Sequence, residues 1–175
     1  MSKVLVVFYS HTGTSRRLAQ LLCSQQGWQI AEIEEERPRS GPLGTWRCVL
    51  DSVLRRHPAI RYQGPFPKDF DAVVLVSPIW VGRLAGPMRS FVARRRGHLP
   101  DVAVALVMGS RGAPDAVAEI TRLIGTTPIL STAFTAQEVV DGSCAGRLRF
   151  FGTALLGAER THAVARQASL SPQAA

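Results

Sequence analysis

Apolar and polar positions alternate along this chain in blocks, and the period of each block predicts its element. Residues 3–9 (KVLVVFY) are an unbroken apolar run, the pattern of a buried strand. Residues 14–26 then put Leu18, Leu21, Leu22 and Gln25 at helical spacing, with Gly27 as the stop. Residues 28–34 (WQIAEIE) alternate with period two, as an edge-like strand does. A turn-rich stretch (ERPRSGPLG) precedes a helix expected at 44–56, with Trp46, Leu50, Val53 and Leu54 on one face. Three prolines and a glycine make 57–70 a loop.

The second half repeats the alternation. Residues 71–77 (DAVVLVS) and 101–108 (DVAVALVM) read as buried strands, and 127–134 as a fifth strand. Helices are expected at 86–97, at 114–124 behind Pro114, and at about 143–161, where Cys144, Leu148, Phe151 and Leu155 share a face. Strands alternating with helices predict an α/β domain, a parallel sheet with helices on both faces. Five such units make a doubly wound five-stranded parallel sheet, whose ligands sit outside the carboxyl ends of the strands. No repeat or linker divides the chain. The reading is one domain over 1–162 and a flexible tail over 163–175.

Composition narrows the class. At 175 residues and 46% apolar, the chain can bury a full core. No apolar run approaches the roughly 18 residues of a membrane span, and the N-terminal run lacks the small-residue cleavage site of a signal peptide. Membrane insertion is therefore not expected. Cys23, Cys48 and Cys144 lie far apart with no CxxC, which suits a reducing cytosol and small core residues. His57, His98 and His162 are scattered and suggest neither a triad nor a metal site. The net charge of +8 comes almost entirely from arginine, since only Lys3 and Lys68 among 21 cations are lysine. Such a charge favours acidic partners and anionic ligands. The dispersed arginines carry no nucleic-acid motif.

Three loops leave the carboxyl ends of the central strands. The first (SHTGTS) holds four hydroxyls, on Ser10, Thr12, Thr14 and Ser15, together with His11 and Gly13. Hydroxyls and unpaired amides at a helix N-terminus form an anion cradle, and they satisfy a monophosphate without a lysine. A helix cap by Thr12 or Thr14 is the alternative, but it needs only one hydroxyl. The second loop (SPIWVGRLAG) has Pro78 ending a strand, Trp80 in an exposed turn, and Gly82 where a ligand can approach the backbone. Trp80 is placed either to stack on a flat heterocycle or to fold back over the core. The third loop (MGSRGA) offers backbone amides at two glycines and Ser110.

Several nucleotide sites are excluded. GxxxxGK followed by Ser or Thr is absent, as is GxGxxG after the first strand. No GxSxG elbow is present. The acidic pocket of a receiver domain is replaced by Tyr9-Ser10 and Ser77-Pro78.

The stretch YSHTGTS resembles the phosphate loop of the flavodoxin family, whose usual pattern is Ser/Thr-x-Thr-Gly-x-Thr/Ser. The stretch DFDAVVLVSPIWVGRLAGPMRSFV resembles that family's next loop and helix, and looks like the same region of the related NAD(P)H:quinone oxidoreductases. The resemblance implies a flavodoxin-like fold with strand order 2-1-3-4-5, and FMN as cofactor. It implies that Ser10, Thr12, Gly13, Thr14 and Ser15 hold the phosphate, with His11 contributing its amide. Ser77, Pro78, Ile79, Trp80 and Gly82 would border the isoalloxazine, with Trp80 stacking and Gly82 near N5. Gly109, Ser110, Arg111 and Gly112 would meet the pyrimidine edge.

The chain also departs from the family. Flavodoxins usually stack an aromatic from the third loop and often carry an acid there, whereas this sequence offers Arg111. An Arg111 that reached N1/O2 would favour the anionic reduced flavin and raise its potential; otherwise it points into water. A bare third loop leaves one flavin face open to a hydride donor or a quinone. Flavodoxins are commonly acidic and this chain is basic, so its redox partner proteins should present acidic surfaces, with Arg94, Arg95 and Arg96 as a docking run or a solvated helix face. Three functions stay open at this point: a cytoplasmic electron carrier, an NAD(P)H-dependent quinone or small-molecule reductase, and a binding module without flavin.

Overall fold

Alternation along the central strands sends their side chains to two opposite faces. Leu5 and Val7, Val73 and Leu75, and Val102, Val104 and Leu106 meet in one buried cluster. Their neighbours Val4, Val6 and Phe8, Val74 and Val76, and Ala103, Ala105 and Val107 meet in another. Each face must then be covered, which is why helices lie on both sides. The computed structural model describes residues 2–36, 54, 56–109 and 111–170.

In chain order the elements are β1 (Val4–Phe8), α1 (Thr14–Gln26), β2 (Gln29–Glu35), β3 (Ile60–Tyr62), a 3-10 turn (Pro67–Asp69), β4 (Ala72–Trp80), β5 (Arg83–Leu84), α2 (Gly86–Arg94), β6 (Asp101–Met108), α3 (Ala113–Ile124), β7 (Leu130–Thr135), α4 (Ala136–Asp141) and α5 (Ala145–Leu170). Among the described residues the sheet runs β3-β2-β1-β4-β6-β7, with β5 paired to β4 alone. The pairs β1–β2, β1–β4, β4–β6 and β6–β7 are parallel. The chain turns to opposite sides of β1 for β2 and β4, so a topological switch point opens between the carboxyl ends of β1 and β4.

Helix packing follows from sequence spacing. On α1 the buried positions are Ser15, Leu18, Ala19 and Leu22, one stripe at i, i+3, i+4 and i+7. That stripe packs with Leu148, Phe151 and Leu155 of α5 on one face of the sheet. Met88, Phe91 and Val92 of α2, with Ala116 and Ile120 of α3, cover the other face. Gly27 closes α1 in the left-handed region, its N–H donating to the Cys23 carbonyl at 2.8 Å.

Several elements differ from the sequence expectation. The loop expected over 57–70 contains β3, which pairs antiparallel with β2, so β2 is not the edge. β4 does not end at Pro78 but continues to Trp80. A proline is tolerated there because β1 pairs with β4 only as far as Phe8 opposite Val76, leaving one side of the strand without a ladder. α2 stops at Arg94 rather than 97, and β7 begins at Leu130 rather than 127. α5 continues to Leu170, past the expected end near 161 and into the segment expected to be a tail. Most of the helix expected at 44–56, including Trp46, Leu50 and Val53, lies outside the described residues, as do Cys48 and Ser110. No helix among the described residues is long and apolar enough to cross a membrane.

Candidate functional site

β1 ends at Phe8, Tyr9 is buried, and the chain turns at once into α1. The Tyr9 amide donates to the Val76 carbonyl at 3.1 Å, holding this exit beside β4. The Ser10 hydroxyl accepts the Gly13 N–H at 3.1 Å and folds the loop back on itself. Gly13 occupies the cap position of α1 with φ 91 and no side-chain cap. The Thr12 and Thr14 hydroxyls contact each other at 3.3 Å instead of capping the helix. Helix capping therefore does not account for these hydroxyls. The first turn of α1 offers its amides outward, edged by the hydroxyls of Ser10, Thr12 and Thr14, with the positive end of the helix dipole behind them. Ser15 is buried, so its hydroxyl does not face the rim.

The second loop is a hairpin. Trp80 pairs with Arg83 and Ile79 with Leu84, leaving Val81 and Gly82 as a two-residue turn. Both have positive φ, 49° and 71°, as a type I′ turn demands. Valine is a strained choice there, because its branched Cβ crowds the left-handed backbone. Trp80 is half-buried at the end of β4 and packs against the core face covered by α2 and α3, so it is not in an exposed turn. Its ring meets His11 edge-on, with centroids 5.7 Å apart and planes at 69°. This contact joins the first loop to the second. The Trp80 Nε1 is buried and has no hydrogen-bond partner among the described residues. Ser77 is fully buried and its hydroxyl donates to the Pro78 carbonyl at 3.2 Å; Ile79 is also buried.

The third loop approaches the second through the backbone of Gly112 and Gly82. Gly112, at φ 105, caps α3 without a side chain, and a Cβ added to it would lie 2.4 Å from the Gly82 Cα. Gly109 and Arg111 are exposed. The three loops thus form one continuous rim at the carboxyl edge of the parallel strands. Arg16 in the first turn of α1 is paired with Glu32 of β2, and the Tyr9 hydroxyl donates to Glu35 at 2.6 Å. A cavity of about 340 Å³ lies between Tyr9, Ser10, His11 and this glutamate-rich end of β2. A wider cavity, about 690 Å³ and lined in part by Lys3, Trp28, Phe70 and Arg160, opens at the amino end of the sheet, away from the α1 N-terminus. Donor chemistry, not cavity size, therefore marks the loop rim. Among the described residues no cluster of His, Cys, Asp and Glu is suited to a metal ion.

One device behind the rim was not foreseen. Arg89 of α2 and Glu119 of α3 are both buried and form an ion pair. Arg89 also donates to the carbonyls of Leu84 at 2.9 Å and Arg56 at 3.2 Å, while Glu119 accepts the Leu84 N–H at 3.4 Å. The pair grips both backbone groups of Leu84, the residue that returns the hairpin to the core. The signal was present in the sequence: Arg89 stands inside GPMRSFV, and Glu119 lies between the buried Ala116 and Ile120. A charge on a buried helix stripe implies an opposite charge facing it.

Known structures share this fold. A flavoprotein from Lactobacillus acidophilus NCFM, solved in complex with FMN, superposes with a TM-score of 0.67 at 19% identity, covering 81% of this chain and 98% of its own. The fold is flavodoxin-like. A flavodoxin, WrbA-like protein from Agrobacterium tumefaciens also matches this flavodoxin-like chain, with a TM-score of 0.57 at 12% identity over 93% of this chain and 99% of that one. The NAD(P)H:quinone oxidoreductase from Methanothermobacter marburgensis matches with a TM-score of 0.51 at 14% identity over 88% and 96%. No family model and no curated protein sequence matches the chain.

Proposed function

We propose that this protein binds FMN at the loop rim and serves as a flavodoxin-like electron-transfer protein of the cytoplasm. The observation that carries the reading is the uncapped first turn of α1, surrounded by hydroxyls that cap nothing, beside the switch point of the sheet. Its donors suit a phosphate monoester. Trp80, at the adjoining strand end with an unpaired indole N–H, suits a flat polar heterocycle. Similarity to a flavoprotein solved with FMN supports the same assignment.

Bound FMN would supply one- and two-electron redox chemistry. The chain's own residues have simpler tasks. Ser10, Thr12 and Thr14 and the amides of the first turn hold the phosphate. Trp80 and the His11 ring on its edge close one side of the site against water. Gly82 and Gly112 bring two backbones close enough to present amides at the ring's margin. The Arg89–Glu119 pair keeps the hairpin at that distance.

The exposed third loop, which carries Arg111 and no aromatic residue, favours a second reading in which NAD(P)H or a quinone stacks on an uncovered flavin face. A carrier with a net charge of +8 would instead dock acidic redox proteins, with rates falling as salt rises.

Titrating the apoprotein with FMN and with riboflavin tests the cradle, with flavin fluorescence quenching as the readout. Tight one-to-one quenching by FMN and much weaker quenching by riboflavin is expected. Equal affinity for the two would remove the phosphate from the argument, and no binding would overturn the reading. NAD(P)H oxidation by the loaded protein with a quinone acceptor then separates reductase from carrier.

A further inference from the structure

A second cluster of cations lies outside the loop rim. α2 starts at the rim, and its C-terminal end meets the 3-10 turn Pro67–Asp69 that precedes β4. There, Lys68 from the 3-10 turn and Arg94, Arg95 and His98 from the end of α2 line a cavity of about 250 Å³, with Phe66 and Pro67 completing its wall.

These cations are held but not neutralised. The Arg95 guanidinium lies 4.5 Å from the Tyr62 ring centroid and 4.2 Å from that of Phe91, and burial lowers its pKa from the ordinary value. Lys68 Nζ lies 5.8 Å from the Phe66 ring, and Arg94 donates to the Ile60 carbonyl at 3.5 Å. Among the described residues no carboxylate pairs with Lys68, Arg94, Arg95 or His98. The carboxyl end of α2 contributes only about half a negative charge, which does not balance three permanent cations. Asp69 is exposed beside Lys68, and the Asp71 carboxylate accepts the Lys3 N–H at 2.6 Å. Phe66, 70% exposed, stands at the lip.

We propose that this cleft binds a small phosphorylated molecule by its phosphate, with Phe66 covering the apolar or planar group next to it. One cation stacked on two rings and two exposed cations lining the same concavity match a compact dianion better than a flat acidic protein surface. An arginine immobilised on two rings has already lost the freedom that phosphate binding would otherwise remove. The assignment is independent of the FMN reading.

The probe is pyrophosphate, titrated calorimetrically into the full chain, and its binding should be saturable and one-to-one at this cleft. Lys68→Gln with Arg94→Gln should weaken it by about tenfold for each cation removed, while circular dichroism stays unchanged. Arg149→Gln with Arg160→Gln, the same change of charge on exposed positions of α5, should leave the affinity unaltered. Thr12→Ala with Thr14→Val separates this cleft from the α1 cradle and should leave the same event in place. Equal losses in the Lys68/Arg94 and Arg149/Arg160 pairs would reduce the binding to net charge. Loss in the Thr12/Thr14 variant alone would assign it to the cradle, and absence of saturable binding would end the proposal. Sedimentation with phosphatidylglycerol vesicles, lost in the Lys68/Arg94 variant without any pyrophosphate binding, would overturn the soluble ligand in favour of a lipid headgroup.

Discussion

Removing one partner of the Arg89–Glu119 pair tests whether the hairpin is held from behind. In Glu119→Ala the Arg89 guanidinium, buried at 1% exposure, loses the Glu119 carboxylate, and the Leu84 N–H loses its acceptor. A buried pair broken on one side typically costs about 3–5 kcal/mol, against a total of about 5–15 kcal/mol for a domain. With a urea slope of about 1–3 kcal/mol/M, the midpoint should fall by roughly 2 M. Arg89→Met should cost a similar amount by stranding the carboxylate. The double variant, Arg89→Met with Glu119→Leu, is not neutral here, as a plain hydrophobic replacement often is. The carbonyls of Leu84 and Arg56 and the Leu84 N–H would each lose a partner, at about 1 kcal/mol apiece. A cost of about 3 kcal/mol for the double, well below the sum of the singles, is therefore the expected signature of coupling. Equilibrium urea unfolding of the parent, the two singles and the double measures it. Singles that cost less than about 1 kcal/mol and simply add would refute the account of a buried, mutually dependent pair.

Three further outcomes follow from single residues. Val81→Asn relieves a branched side chain at φ 49 on an exposed turn and should raise stability by about 1 kcal/mol in the same urea assay; a loss would mean the valine packs in a way its 71% exposure does not suggest. Gly112→Ala drives a Cβ to 2.4 Å from the Gly82 backbone and adds strain at φ 105, so it should destabilise by at least about 2 kcal/mol and weaken FMN binding as the loops separate. Thr135 and Glu138 form a capping box at α4, and Thr135→Ala should cost about 1 kcal/mol in neutral solution. The Thr135 N–H, then its hydroxyl, hold the Glu138 carboxyl below its ordinary value of 4.5. Because the folded value is depressed, the stabilisation is complete above that ordinary value and is lost as pH falls through the lowered one. Thr135→Ala keeps the backbone donor and removes only the hydroxyl, so it should flatten the acid limb of the stability profile in part, and an unchanged limb would show that the hydroxyl does not contribute to it.

What could be read from the sequence, and what could not, divides along physical lines. The central strands were legible because continuous apolar runs have few other uses, and the loops because hydroxyls, glycines and a tryptophan interrupt those runs abruptly. β3 was hidden because three residues among prolines leave no period to detect, and because its pairing with β2 is decided by residues far along the chain. The extension of β4 through Pro78 contradicted a sound local rule. It stands because the partner strand β1 ends first, which is a property of the sheet rather than of the proline. The same distinction applies to charge. Arg94, Arg95 and Arg96 looked like one solvated face, yet Arg95 lies across two aromatic rings while its two neighbours are exposed. At the rim, a cap and an anion cradle demand the same residue types, and only geometry separates them. The observation that favours the cradle is that Thr12 and Thr14 contact each other while the first turn of α1 remains uncapped. Under the proposed function, the ligand those hydroxyls and first-turn amides serve is a phosphate, whose size and charge suit a helix N-terminus.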